Sequence, residues 1–532
     1  MRKWLPLITV SLSTFMLLVD ITIVSVALPE MARALDSSFT DLQWTVDIYV
    51  LVLVALLMAI GSASDLVGRR AVFLAGLVVF AGASLACGLA QSTEFLIAAR
   101  GVQGLGGAAM FATNAALLGA TYRGRDIGIA FGVWGAVNGA AAALGPILGG
   151  LLTQHVSWRA IFLVNLPIAV IAIIIAVRYV AESRERAGAR IDVPGTVLFT
   201  AAVSLLVYGL IEAGDRGWSD RVTLGCLIGA AVAVVVFVIV ERLRTDPMLD
   251  PRLFRGPSFS ALMLGGLVLT GAAFANLVFV SVWAQTVLGL GPVKAGLVLT
   301  PLAGVSFVVA GAGGRLLHGV PARYSIGAGL LLVGIGTLLD MLVAPSSGWT
   351  ALLAGLVVTG IGVGLASPVL ASAALTTAPP ERAGMANGAM NTFRQLGFAV
   401  GVPVFGTALA SQARDSLRGS GQFDDPAAAA SALSGGGAPE LLTRVPAAAR
   451  DAADHALRTA FTAGLDRIFL VCGIAGLLAG AAVLTLVRPA PTGPGPTSTL
   501  DGDTPASDGV APAGLPTPTR GDGGSVPTGA NT

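Results

Sequence analysis

The sequence predicts an all-α membrane protein of about fourteen transmembrane helices. Three observations predict it. The composition is too apolar for a water-soluble chain, apolar runs of bilayer length recur along it, and basic residues favour alternate connecting segments.

Apolar residues make up 55% of the 532 positions and charged residues 12%, against roughly 25% charged in an ordinary soluble domain. So few charges cannot cover the surface of a soluble protein of this length. The net charge is +2, with no basic stripe of the kind that follows a nucleic acid. Cys87, Cys226 and Cys472 each sit inside an apolar run without metal-ligand spacing and read as small packing residues. The N-terminus looks like a signal peptide, but Asp20 interrupts its apolar stretch and similar stretches follow throughout. It reads as the first membrane helix.

A helix needs about 20 mostly apolar residues to cross the hydrocarbon core. Such runs fall near 5–28, 44–64, 71–90, 95–118, 127–152 and 160–180, then 194–213 and 222–240. Six more follow near 259–286, 296–317, 324–343, 350–375, 386–410 and 465–487. Eighteen arginines and lysines, among them Arg2, Lys3, Arg69, Arg70, Arg178 and Arg488, fall in segments on the side of the N-terminus. The short loops opposite hold five: Arg33, Arg159, Arg216, Arg221 and Lys294. That bias predicts both termini in the cytoplasm of a multi-pass protein of the cell membrane.

The runs divide as six, two and six. Residues 1–183 form a predicted N-terminal bundle, 184–256 a linker with an inserted helix pair, and 257–488 a C-terminal bundle. A faint echo relates the halves, since the turn at 61–70 recurs 253 residues later at 314–323, with His318 in place of Asp65. Two related halves place a substrate site between them near the midplane. The Pro-, Gly- and Thr-rich tail, 489–532, is predicted to be disordered. The long loop near 411–464 is predicted to hold one short helix near 447–459.

The P-loop of a nucleotide-driven pump needs a Gly-Lys pair, and neither Lys3 nor Lys294 follows a glycine. His155, His318 and His455 are too scattered for a metal site. No cofactor and no metal are predicted, and ATP is excluded as the driver. An ionisable residue inside a membrane is costly and is a functional candidate by default. Asp20 in helix 1 and Arg100 in helix 4 lie at similar depth and are predicted to pair. Gln103, Gly104 and Gly107 share the helix-4 face of Arg100. In helix 5, Gly135/Gly139 and Gly145/Gly149 have the spacing that lets helices approach closely, beside Pro146 and Gly150. Helix 13 carries Asn387, Asn391, Arg394 and Gln395 on roughly one face, a candidate cavity wall, with Arg394 able to snorkel to the interface. Asp47 and Asp340, near outer ends, and Glu212 at an interface read as wetted.

These motifs resemble the major facilitator superfamily, and within it the fourteen-helix drug:proton antiporters, over about residues 5–488. Gly61, Asp65, Gly68, Arg69 and Arg70 match the loop after helix 2 that latches the halves in that family, though Ala63 stands where leucine is usual. Arg100, Gln103, Gly104 and Gly107 are similar to its helix-4 motif, associated with proton transfer. Gly139, Gly145, Pro146, Gly149 and Gly150 resemble the helix-5 motif of antiporters. The stretches 18–29, with serine at 25 where asparagine is more usual, and 158–167 resemble two further motifs of the fourteen-helix group. The resemblance implies a proton-coupled exporter of drugs, antibiotics or other amphipathic organic compounds, not an enzyme. Asp20 would carry the proton and Arg100 tune its affinity. Protons, a small organic substrate and the bilayer are the implied partners, with a monomer as the working unit. An uptake symporter on the same fold and a non-transporting membrane sensor are the rival readings.

Overall fold

The computed structural model describes residues 2–123, 125–183, 192–316, 320–377 and 383–488. Every regular element among them is helical. Residues 1–489 form one compact unit, and the predicted disordered tail lies outside the described residues.

The first six predicted spans appear as α1 (Leu5–Leu35), α2 (Phe39–Val67), α3 (Arg69–Gly88), α4 (Thr93–Thr121), α5 (Arg125–His155) and the broken pair α6 (Ala160–Leu163) and α7 (Asn165–Tyr179). The middle pair is α8 (Val193–Arg216) and α9 (Arg221–Leu243). Then come α10 (Pro257–Thr270) and α11 (Asn276–Thr286), α12 (Pro292–Leu316), α13 (Ala322–Leu339), α14 (Leu353–Thr377) and α15 (Ala383–Ser420). Two short helices, α16 (Pro426–Ser434) and α17 (Ala438–Arg444), precede α18 (Arg450–Leu486). Thirteen helices among the described residues are long and apolar enough to cross a bilayer, and α5 adds a further helix of 31 residues.

Local chemistry sets the ends. Asp36 takes the left-handed conformation, φ 52°, and stops α1. Ser38 and Asp41 close a capping box on α2, which satisfies N–H groups that a helix start leaves unpaired. Ser92, Asp192 and Asp220 cap α4, α8 and α9 with a single side-chain oxygen each, accepting from the amides of Phe95, Gly195 and Val222. Between α10 and α11 the residues Gly271–Ala275 form a π-helical turn, an irregularity frequent at functional sites. A Cβ on Gly397 of α15 would come within 2.0 Å of the Leu267 carbonyl oxygen, so only glycine admits this approach.

The face that carries Arg2 is called here the arginine-rich face. Side-chain contacts tie loops together on it: Lys3 pairs with Asp126 at 2.7 Å, and Ser258 donates to the Leu486 carbonyl at 3.1 Å. On the opposite face Ser37 meets Thr93 at 2.6 Å and Gln154 accepts from the Val293 amide at 3.3 Å. The outermost helix, α9, turns Ile228, Val232, Val235 and Ile239 outward, each more than half exposed. In water that surface would be a liability; against lipid tails it needs no cover. The segment predicted as a loop with one short helix is largely helical. The residues near 447–459 are the start of α18 rather than a separate helix, since apolar packing of Leu457, Ala460 and Phe461 carries the helix on without a break.

Candidate functional site

Asp20 and Arg100 do pair, and both are sealed inside the helices of residues 1–183, 0% and 1% exposed. Arg100 Nη1 donates to Asp20 Oδ2. The helix carrying Asp20 runs to Leu35, seven residues past its predicted end, so the carboxylate lies midway along α1. Two carboxamides complete the cluster: Gln103 Nε2 donates to Asp20 Oδ1 at 2.9 Å, and Asn165 Nδ2 donates to the same oxygen at 3.2 Å. The second proton of each amide points to Ser84 Oγ, at 2.9 and 3.5 Å. Arg100 also donates from Nε to the Thr45 carbonyl at 3.0 Å and from Nη1 to Gln103 Oε1 at 2.8 Å. The rings of Tyr49 and Phe162 lie 4.3 and 5.7 Å from its guanidinium carbon. Four partners other than Asp20 therefore hold the cation.

The glycines around this cluster let the helices close on it. A Cβ on Gly104 would stand 2.4 Å from the Tyr49 carbonyl oxygen, and one on Gly107 3.3 Å from Leu17. In α5, Gly145 and Gly149 back onto Thr22 and the Ile23 carbonyl of α1, while Gly150 backs onto Pro292 and Val293 of α12. Gly296 of α12 returns the contact, 2.2 Å from the Pro146 carbonyl to a built Cβ. The helix-5 glycines thus join α1 on one side and α12 on the other. Of this motif, the side chains of Asn138 and Gly139 lie outside those described.

Of the turn expected at 61–70 only Gly68 lies between α2 and α3, because α2 stays helical through Val67. In its last turns the Gly61 carbonyl accepts from Ser64 Oγ at 2.7 Å, and the side chain of Asp65 lies outside those described. His318 of the second turn also lies outside the described residues. Gly68 has φ 124°, a conformation open to glycine alone, and a Cβ there would meet the Glu182 carboxyl at 2.7 Å. That carboxyl accepts from the Arg70 and Ala71 amides at 3.0 and 3.2 Å. Glu182 therefore caps the positive N-terminal end of α3. Arg69, 7% exposed, donates its amide to the Ser183 carbonyl at 3.1 Å, and Arg70 Nη2 reaches the Val177 carbonyl at 2.5 Å. Gly68→Ala is expected to cost about 1–3 kcal/mol of stability through backbone strain. Thiol-dye melting, which reports the exposure of buried Cys87 and Cys472, measures it; an unchanged melting temperature would refute the strain.

In α15, Gln395 is buried, while Asn391 and Arg394 are partly exposed. Arg394 is not stretched to the interface, as snorkelling would require: its Nη2 donates to Ser367 Oγ of α14 at 3.2 Å. A further expectation is corrected at Asp47 and Asp340. Both are buried, 0% and 2% exposed, because neighbouring helices cover the ends of α2 and α13. Neither oxygen of Asp47 has a partner among the described residues. Glu212 is partly exposed and paired with Arg216 at 2.5 Å.

Two cavities lie on the seam between residues 1–183 and 257–488. The central one is lined by Ile21, Thr22 and Pro146 on one side and by Phe274, Leu277 and Phe398 on the other. The second lies nearer the opposite face, between Gln43, Val46, Phe279 and Val402, under Ser434 and Gly435. Asp20 lines neither, but its neighbours Ile21 and Thr22 line the first. Ser84, Asn165 and Glu182 escaped the sequence reading. Asn165 falls in the 158–167 stretch, which was a signal; a serine in an apolar helix offers none.

A polytopic helical bundle with a buried charge pair beside a central cavity defines a membrane transporter rather than an enzyme. The Major Facilitator Superfamily profile matches residues 10–402, and the chain belongs to that family. It is 36% identical over 408 residues to the multidrug resistance protein Stp of Mycobacterium tuberculosis, covering 76% of each chain. It is 33% identical over 512 residues to the tetracenomycin C resistance and export protein of Streptomyces glaucescens, covering 91% of each. The multidrug efflux pump LfrA of Mycolicibacterium smegmatis is 30% identical over 91% of this chain and 96% of its own. Among solved structures, a POT family transporter in complex with a thioalcohol-conjugated peptide superposes with a TM-score of 0.60 over 90% of this chain and 94% of its own. At 14% identity that likeness shows the fold alone.

Proposed function

We propose that the protein exports drugs, antibiotics or related amphipathic compounds across the cell membrane in exchange for protons. ATP takes no part in this reading, both termini are cytoplasmic, and the monomer is the working unit. The two six-helix bundles are the bodies that rock, with α8 and α9 inserted between them. The names of its relatives, which include resistance and export proteins for several compounds, support the cargo class.

The observation that carries the reading is the Asp20 cluster and its position on α1. A proton on Asp20 would neutralise the carboxylate without stripping Arg100 bare, because Thr45, Gln103 and two ring faces still hold the guanidinium. A buried arginine left with no partner would cost several kcal/mol. The next two residues of the same helix, Ile21 and Thr22, line the central cavity, so a shift of α1 on protonation reaches the cargo directly.

Proteoliposomes test the direction. An antiporter accumulates a probe from a panel of amphipathic dyes of either charge when the lumen is made acid, and a symporter when the outside is acid. Accumulation only with acid outside would replace export by uptake. Failure of either gradient to drive any dye would end the proton-coupled reading.

A further inference from the structure

We propose that Arg394 anchors an anion subsite next to the central cavity, on its arginine-rich side, one that takes the carboxylate of an amphipathic cargo. The proposal rests on the exporter reading above and names its substrate chemistry.

The placement follows from helical spacing. Residues 387, 391, 394, 398 and 402 of α15 recur at three- and four-residue intervals and share one face. Phe398 lines the central cavity and Val402 the second one. Arg394 is one turn from Phe398 toward the arginine-rich face, on the same face of α15 and just beyond the lining of the central cavity. Asn391 and Asn387, both partly exposed, continue that stripe. Two carboxamides thus lie on the face of α15 that carries the guanidinium, on its arginine-rich side.

The depth of Arg394 separates this reading from a snorkelling arginine. Gly266 is nine residues from the start of α10, Ser367 ten from the end of α14, and Arg394 eleven from the start of α15. At a rise of 1.5 Å per residue, all three lie ~15 Å from the helix ends at the arginine-rich face. The stem of Arg394 lies against Gly266, where a Cβ would come within 3.2 Å of its Cγ. Its Nη2 is held by Ser367 at 3.2 Å. The charge is therefore retained at depth and not delivered to the interface.

Its electrostatic situation is opposite to that of Arg100. Arg100 has Asp20, whereas Arg394 has no carboxylate partner among the described residues. A guanidinium has five N–H donors in a fixed fork that matches a carboxylate, and Ser367 engages one of them. The described lining of the central cavity includes the hydroxyls of Thr22 and Ser25 but no acidic side chain. A cation within a membrane span calls for a counter-charge. An acidic cargo brings one, and its apolar body then meets Phe398, Phe274 and Leu277.

The test is a matched pair of probes, 9-anthracenecarboxylate and its methyl ester, titrated by fluorescence against the full-length protein in neutral phosphatidylcholine vesicles. Wild type is expected to bind the acid at least ~10-fold more tightly than the ester, the range of one charge-assisted hydrogen bond. Arg394→Gln is expected to bring that ratio near one, and Arg394→Lys to keep part of it. Ser367→Ala keeps the charge but loosens it, and is expected to give an intermediate ratio even where Arg394→Gln does not fold. Equal binding of acid and ester by wild type, or binding of neither, would overturn the proposal. So would a wild-type ratio in the Arg394 and Ser367 variants, the result expected of an arginine serving lipid phosphate. Gradient-driven export that ignores probe charge would end this inference and leave the exporter reading standing. Absence of gradient-driven export for every dye would end the exporter reading, whatever the binding ratio.

Discussion

Asp20→Asn is expected to reduce pH-gradient-driven export to background and to lower the melting temperature in the same preparation. Asparagine fills almost the same space but binds no proton in this range, so coupling is lost without a cavity. It also leaves a buried cation without its counter-charge. Breaking a buried pair by removing one partner costs about 3–5 kcal/mol in general. The lower end applies here, because the Thr45 carbonyl, Gln103 Oε1 and the Tyr49 ring, at 3.0, 2.8 and 4.3 Å, remain on Arg100. Asp20→Glu restores a titratable group one methylene longer, in a fully buried site whose partners are set for aspartate, and is expected to recover only part of the coupling. Export assays in proteoliposomes and thiol-dye melting separate the two effects. Full gradient-driven export by a well-folded Asp20→Asn protein would remove Asp20 from the proton path.

The bundle was legible in the sequence because lipid imposes a length and an apolar composition on every span, and both can be read residue by residue. The charge pair was legible for a related reason. Asp20 and Arg100 stand out against apolar neighbours, and each must be matched. The carboxamide shell was not. Gln103 shares the face of Arg100, but Asn165 meets Asp20 only because α7 packs beside α1, and Ser84 holds Gln103 and Asn165 only because α3 packs on α4 and α7, a tertiary fact with no local signature. Asp47 was misread for the same reason. Closeness to a helix end suggested water, and it is neighbouring helices that exclude it. Glu182 was invisible until the fold brought it to the first turn of α3, where the glycine at 68 makes room for its carboxyl.

Gly296→Val is expected to have the second large effect, on the conformational balance of the two halves. The contact of α5 with α12 is backbone against backbone: a Cβ at 296 would lie 2.2 Å from the Pro146 carbonyl oxygen, and one at Gly150 2.6 Å from Val293 Cα. A flexible side chain could swing away from such a clash, but a carbonyl in a helix cannot. Overpacking of this kind costs about 1–3 kcal/mol. The cost falls only on the conformer in which α5 and α12 meet, so a conformer with them apart gains relative weight, up to about a hundredfold for 2.8 kcal/mol. A cysteine at Gln154, which touches the Val293 amide in the closed contact, is then expected to react faster with an impermeant maleimide. Transport slows in step, since a carrier that closes poorly on one face cannot complete its cycle. Gly304→Val, on the same helix with nothing within 4 Å of a built Cβ, is the internal control and is expected to change neither rate. Equal labelling of the Gly296 and Gly304 variants would mean that the α5–α12 contact is packing only, with no part in switching between the two faces.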